Sequence, residues 1–143
     1  MSNIKHQKCL SNIKSKKIEF SYVYEKNIFN MLIQGHKAMS AYQIIEAYLL
    51  KYKQLLKPMQ VYRVLKKLVE KNLIHRINFN NSYVACFHKN SHETFVGFIC
   101  SKCSTIEEKP QVSILELTKT MGLNKNNISH TNLEIIGTCQ NCL

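Results

Sequence analysis

Apolar positions keep helical spacing as far as about residue 71 and then change to the spacing of strands. Ile28, Met31 and Leu32 fall at i, i+3 and i+4 and predict a helix from about Ser21 to Gln34, with Gly35 placed to close it. A second helix begins after Ser40. A serine N-cap with Gln43 three residues on makes a capping box, and Ala41, Ile44, Ile45, Tyr48 and Leu49 form the apolar face. That face fades in Lys51-Tyr-Lys53-Gln54. Pro58 is tolerated in a first turn and opens a third helix to about Lys71. Val61, Val64, Leu65 and Leu68 are its buried stripe, with Tyr62, Arg63, Lys66, Lys67 and Glu70 on the other side. Residues 73–79 and 82–87 flank an Asn80-Asn81 turn and read as a hairpin. Two helices joined by a short turn and followed by a hairpin predict a winged helix-turn-helix domain over residues 1–87.

The pattern changes again after a polar crossing at 88–93. Thr94–Ile99 is apolar and β-prone, and Thr105–Glu107 is a short strand candidate. Pro110 and Gln111 open a helix through Met121, with Val112, Ile114, Leu115 and Leu117 as a wide apolar face and Gly122 closing it. Asn126–Ile136 reads as a last strand. The expected class is therefore α+β, with a small α/β domain over 94–143. A unit that small buries little surface alone, which predicts dimerisation through it. Residues 1–18 carry five lysines and a weak stripe of Ile4, Cys9, Leu10 and Ile13. They read either as a solvated arm or marginal helix, or as an arm that touches DNA phosphates.

Charge narrows the partners. Twenty Lys+Arg against nine Asp+Glu give 143 residues a net charge of +11, which points to a polyanion. The solvated-face reading of Arg63, Lys66 and Lys67 stands beside the DNA reading, and the charge together with the hairpin favours DNA. No apolar run approaches the roughly 18 residues of a membrane span, and no signal-peptide core follows the N-terminus. The expected location is the cytoplasm, with no membrane partner. Disulfides are rare there, so six cysteines need another explanation.

Four of the six stand as Cys100-x-x-Cys103 and Cys139-x-x-Cys142, the pattern of a closed tetrahedral four-cysteine site for Zn2+. One pair ends the third strand and the other follows the last strand, so a metal there would pin the C-terminus to the sheet. The rival is a redox dithiol, which wants its Cys-x-x-Cys at the start of a helix, where neither pair sits. A looser set is His75, Cys86, His92 and Glu108, with His88 as a competitor. A thiolate, two imidazoles and a carboxylate suit tetrahedral zinc. Each also has an ordinary reading, as a surface histidine, a core thiol or a solvated charge. No catalytic triad, paired carboxylates or phosphate loop stands out, which predicts no enzyme.

Ser40-Ala-Tyr42-Gln-Ile-Ile, Lys57-Pro-Met-Gln-Val-Tyr62-Arg63, Leu73-Ile-His75-Arg, Ser82-Tyr-Val-Ala-Cys86, Phe98-Ile-Cys100-Ser-Lys-Cys103 and Gly137-Thr-Cys139-Gln-Asn-Cys142 occur in a telling order. From about Ser21 to the C-terminus the chain resembles the ferric uptake regulator superfamily, most of all its zinc uptake branch. The resemblance implies a homodimeric, zinc-responsive repressor of zinc uptake genes that binds a palindromic double-stranded DNA operator. It implies a structural zinc on the four paired cysteines and a regulatory zinc on His75, Cys86, His92 and Glu108. Tyr62 and Arg63 match the family's base-contacting pair, and Tyr42, Lys66 and Lys67 join them as expected DNA contacts.

The chain departs from the pattern in places. Gln60 stands where the family usually has Thr, which predicts a weaker N-terminal cap on the third helix. Ser21-Tyr-Val-Tyr24 replaces a Thr-Pro-x-Arg motif and loses a basic contact. The gap from His92 to Cys100 is one residue longer than expected, which leaves His92 and His88 both open as ligands. A single His in Lys89-Asn-Ser-His92-Glu-Thr, together with Cys86, favours zinc over iron. The alternatives are an iron- or peroxide-responsive regulator of the same superfamily, a cytosolic thiol-disulfide enzyme, and a zinc-ribbon RNA-binding factor.

Overall fold

Helix α1 (Val23–Gly35) buries Ile28, Met31 and Leu32, the stripe its spacing predicts, and Phe29 and Ile33 beside them. The computed structural model describes residues 18–35, 37–86, 94–108 and 114–143. The Lys-rich start, His88, His92 and the expected helix opening at Pro110 lie outside those residues. The chain divides into two units, Met1–Lys89 and Asn90–Leu143.

In the first unit, Met39–Ser40 forms a short strand β1 and Ser40 then caps helix α2 (Ala41–Tyr52). The capping box is complete: Gln43 N–H donates to Ser40 Oγ at 3.3 Å, and Ser40 N–H to Gln43 Oε1 at 2.8 Å. Lys53 ends α2 in the left-handed region, its N–H donating to Leu49 O at 2.9 Å. Buried Leu56 anchors the turn into helix α3 (Pro58–Glu70). Gln60 corrects one expectation, because its Oε1 reaches back and accepts Lys57 N–H at 2.9 Å. The glutamine supplies from the third helical position a cap that the missing threonine would have given. Val61, Val64, Leu65 and Leu68 of α3 join Ile28, Leu32, Ile44 and Tyr48 in one core.

Strands β2 (Ile74–Ile77) and β3 (Ser82–Ala85) pair antiparallel, with His75 opposite Val84 and Arg76 opposite Tyr83. Asn81, at φ 49°, makes the turn. β1 adds to the outer edge of β3, placing Ser40 opposite Ser82. Periodicity could not disclose that two-residue strand, because its partner lies more than forty residues away.

In the second unit β4 (Thr94–Cys100) is central. It pairs antiparallel with β5 (Ile106–Glu108) and parallel with β6 (Thr131–Gly137). Helix α4 (Ile114–Thr120) lies in the connection to β6 and ends at Gly122, whose φ of +69° and N–H to Lys119 O fit the predicted stop. The last strand begins later than its alternation suggests, at Thr131. Residues 125–127 instead form a 3-10 turn, in which Asn124 Oδ1 accepts Asn126 N–H at 3.0 Å. Leu115 and Leu117, from the apolar face expected of α4, are exposed, as are Ile135 and Ile136 of β6.

Candidate metal centre and nucleic-acid interface

The parallel register of β4 and β6 assembles the thiols. It sets Cys100 opposite Gly137, so the two Cys-x-x-Cys turns leave the sheet side by side. Ser101 N–H donates to Gly137 O at 2.8 Å and Cys139 N–H to Cys100 Sγ at 3.4 Å, which ties the turns together. Lys102 Nζ holds the chain end by donating to Cys142 O at 2.8 Å. The four sulfurs all lie within 4.8 Å of one another, and Cys103 Sγ and Cys139 Sγ are 3.7 Å apart. Tetrahedral zinc with Zn–S bonds of about 2.3 Å needs sulfurs about 3.8 Å apart, so this donor set fits the ion.

The acidities of the thiols point the same way. Backbone N–H donation, that of Cys139 first, holds Cys100 down to about 6. Thr105 lowers Cys103, whose Sγ lies 3.1 Å from the Thr105 hydroxyl. Hydrogen bonding among the neighbouring thiols, with Cys139 first, pushes Cys142 up to about 12. The first thiolate therefore forms easily and the last resists, because like charges are gathered in one place. A divalent cation removes that conflict.

The looser set divides. His75 and Cys86 are both buried, 7% and 3% exposed. Cys86 N–H donates to Leu73 O at 2.9 Å, which extends the hairpin register by one pair. Cys86 thus follows Val84 on the face that His75 shares, as the diagonal neighbour of His75, within about 7–8 Å. Glu108 ends β5 in the other unit, where burial pushes its carboxyl up to about 7. His92 and its competitor His88 lie outside the described residues.

On the outer face of α3, Tyr62 is 42% exposed and Arg63 and Lys66 stand beside it, Lys66 in a loose 3.9 Å pair with Glu70. Tyr42, in the first turn of α2, is 68% exposed. Lys67 is placed differently. Its Nζ donates to Glu25 Oε2 at 2.9 Å, Glu25 Oε1 at 3.1 Å and Ser21 Oγ at 2.9 Å, so its charge ties α3 to the start of α1. Glu25 was not singled out by the sequence, because its partner is 42 residues away.

The fold and the site define a winged helix with a cation-rich outer helix, joined in sequence to a small sheet unit whose four gathered thiols fit a metal ion. The sequence profile of the ferric uptake regulator family matches residues 25–136. The zinc uptake regulation protein of Escherichia coli (strain K12) is 30% identical over 109 residues, which cover 74% of this chain and 63% of that protein. Its Shigella flexneri counterpart matches to the same extent. Among solved structures, a zinc uptake regulator complexed with zinc and DNA superposes with a TM-score of 0.69 at 23% identity, covering 99% of this chain and 93% of that one. The Francisella tularensis ferric uptake regulator with iron gives 0.60 at 22% identity, covering 89% and 98%. The chain belongs to the ferric uptake regulator family. It spans just under two thirds of the length of the curated relatives it matches.

Proposed function

We propose that this chain is a zinc-responsive repressor of zinc uptake genes that binds a palindromic operator as a homodimer. The observation that carries the reading is the hairpin directly after α3. His75 and Cys86 share one buried face of the very element that leaves the helix bearing Tyr62 and Arg63. Metal held by that face would bear on the part of the chain that meets DNA. The curated relatives named for zinc uptake regulation support zinc over iron.

In this reading Cys100, Cys103, Cys139 and Cys142 hold a structural zinc, and His75, Cys86, His92 and Glu108 hold the regulatory one. Bound zinc would supply a fixed junction among the residues of each set. The protein's own residues do the rest. Arg63 reads a purine, most readily guanine through O6 and N7. Tyr42, Tyr62 and Lys66 contact bases and phosphates around it. Exposed Leu115 and Leu117 of α4, and Ile135 and Ile136 on the two sides of the edge strand β6, fit apolar surface that a second copy covers. The cytoplasm is the compartment this function requires, and no helix among the described residues is long and apolar enough to cross a membrane.

The test is DNA binding at fixed salt while free zinc is titrated, on wild type and Cys86→Ser, with zinc counted per chain. The expected result is about two zinc ions in wild type. Cys86→Ser drops one ion and loses the zinc-dependent step. Binding that ignores zinc once the four-cysteine site is full would reject the sensor. A redox-active metal and release by peroxide would favour the iron- or peroxide-responsive alternative.

A further inference from the structure

We propose that Met59 is a further specificity-determining residue of the DNA interface, packing its thioether side chain against the 5-methyl group of a thymine within two base pairs of the purine read by Arg63. The inference rests on the DNA-binding function proposed above and deepens it, adding an apolar contact to a surface of cations and tyrosines.

Three observations carry it. The first is placement. Met59 stands three and four residues before Tyr62 and Arg63 and seven before Lys66, so the four share one face of α3. All four are exposed, Met59 at 66%, while Val61, Val64 and Leu65 on the opposite face are buried. The N-terminal residues of the second helix in a helix-turn-helix are the ones that meet base edges. Met59 is the second residue of α3. One helical turn advances about 5.4 Å and one base step about 3.4 Å. A side chain one turn ahead of Arg63 therefore reaches the next base pair or the one after it.

The second is chemistry. In the major groove thymine presents a methyl group, and apolar side chains recognise it there. Met59 has no donor to offer a base, and its thioether is flexible and polarizable enough to follow a methyl. Its surroundings are cationic: Lys51, Lys53 and Lys57 precede it, Arg63 and Lys66 follow, and no carboxylate occurs from Ala47 through Val69. Cations that hold phosphates fix the register of the helix, and the uncharged residue among them is left facing base edges.

The third is preorganisation. Pro58 sets the backbone of the first helical residue, and buried Leu56 anchors the turn before it. Lys57 N–H donates to Gln60 Oε1 at 2.9 Å, and Gln60 N–H donates back to Lys57 O at 2.9 Å. Met59 thus projects from a first turn that is already closed on both sides of it. Contact with a base orders its own side chain and little else.

The experiment begins by selecting duplexes from a random pool with the zinc-loaded full chain. Each thymine of the selected core is then replaced in turn by deoxyuridine, which pairs in the same way and lacks only the 5-methyl group. Wild type should lose about fourfold in affinity at one thymine of each half-site, the effect of one buried methyl. That thymine should lie within two base pairs of the guanine to which Arg63→Ala becomes insensitive. Met59→Ala should bind the thymine and deoxyuridine duplexes alike at that position while keeping the melting temperature, and Met59→Leu should restore the preference. A wild type indifferent to every replacement, a sensitive thymine found only outside that window, or a Met59→Ala protein that discriminates at every thymine as wild type does would overturn the proposal and leave the repressor reading intact. Failure to retain any duplex with zinc would overturn both.

Discussion

Lys67 offers the sharpest test of how this fold divides its cations between DNA and itself. The sequence places it on the outer face of α3 with Arg63 and Lys66, yet its ammonium is committed to Glu25 and Ser21. The Glu25 side chain is 8% exposed and that of Lys67 34%. Removing the ammonium leaves a buried carboxylate held by the backbone N–H groups of Ser21, at 2.9 Å, and Tyr22. Breaking a fully buried pair from one side costs about 3–5 kcal/mol. Lys67 keeps a third of its surface in water, which reduces the cost to about 2–3 kcal/mol. For a domain of this size that is a fall of roughly 10–20 °C in melting temperature. The perturbation is Lys67→Met, which keeps most of the stem. It is measured by denaturation together with Glu25→Gln and the double variant, so that the coupling is isolated.

The pH dependence has a definite sign. Burial works to raise the Glu25 carboxyl, but hydrogen bonds from Lys67 and Ser21 and the Lys67 charge outweigh it and hold it below its ordinary 4.5. A depressed carboxylate contributes stability above its unfolded value and loses it as pH falls through the folded one. The gap between wild type and Lys67→Met should therefore be full at neutral pH and close below about 4.5. A Lys67→Met protein of unchanged stability that binds all duplexes more weakly would refute this assignment and return Lys67 to the phosphate contacts.

Arg63→Ala should cost about 1–3 kcal/mol on a selected duplex and little on random DNA, whereas Lys66→Ala should weaken both alike and lower the salt slope by about 1. Equal losses for the two variants in fluorescence anisotropy would contradict base reading by Arg63. Cys103→Ser should release the structural zinc and unfold the second unit, because metal affinity at such a site is folding free energy. Retained zinc stoichiometry with an unchanged circular dichroism spectrum would count against a four-cysteine centre.

What could be read from the sequence was what is local. The capping box joins Ser40 to Gln43, close neighbours in the chain, and formed as expected. The two Cys-x-x-Cys turns declared a metal site, and the β4–β6 register explains why they meet. What could not be read depends on partners distant in the chain. Glu25 carried no signal of its role, because its partner Lys67 lies 42 residues away. Leu115 and Leu117 read as part of a wide apolar face, and apolar spacing does not distinguish a face covered by the same chain from one left open, as theirs is. Gln60 looked like a lost cap, since a residue-type rule does not see a side chain reaching back to Lys57.

The hairpin joins these threads. A strand has a side-chain period of two, so a slip of one residue would turn His75 and Cys86 outward and Arg76 inward. Two independent links oppose the slip: the pairing of β1 onto β3 and the bond from Cys86 N–H to Leu73 O. Leu73 N–H in turn donates to Leu68 O, so β2 starts directly from the last turn of α3. On the proposed reading, the metal-facing residues His75 and Cys86 lie on one face of a hairpin whose register is set by the helix that reads bases. A hundredfold zinc switch needs only about 2.7 kcal/mol of coupling between metal and DNA. Fixing two or three residues in one backbone conformation involves energies of that size, at about 1–2 kcal/mol each, so the switch does not require the winged helix to refold.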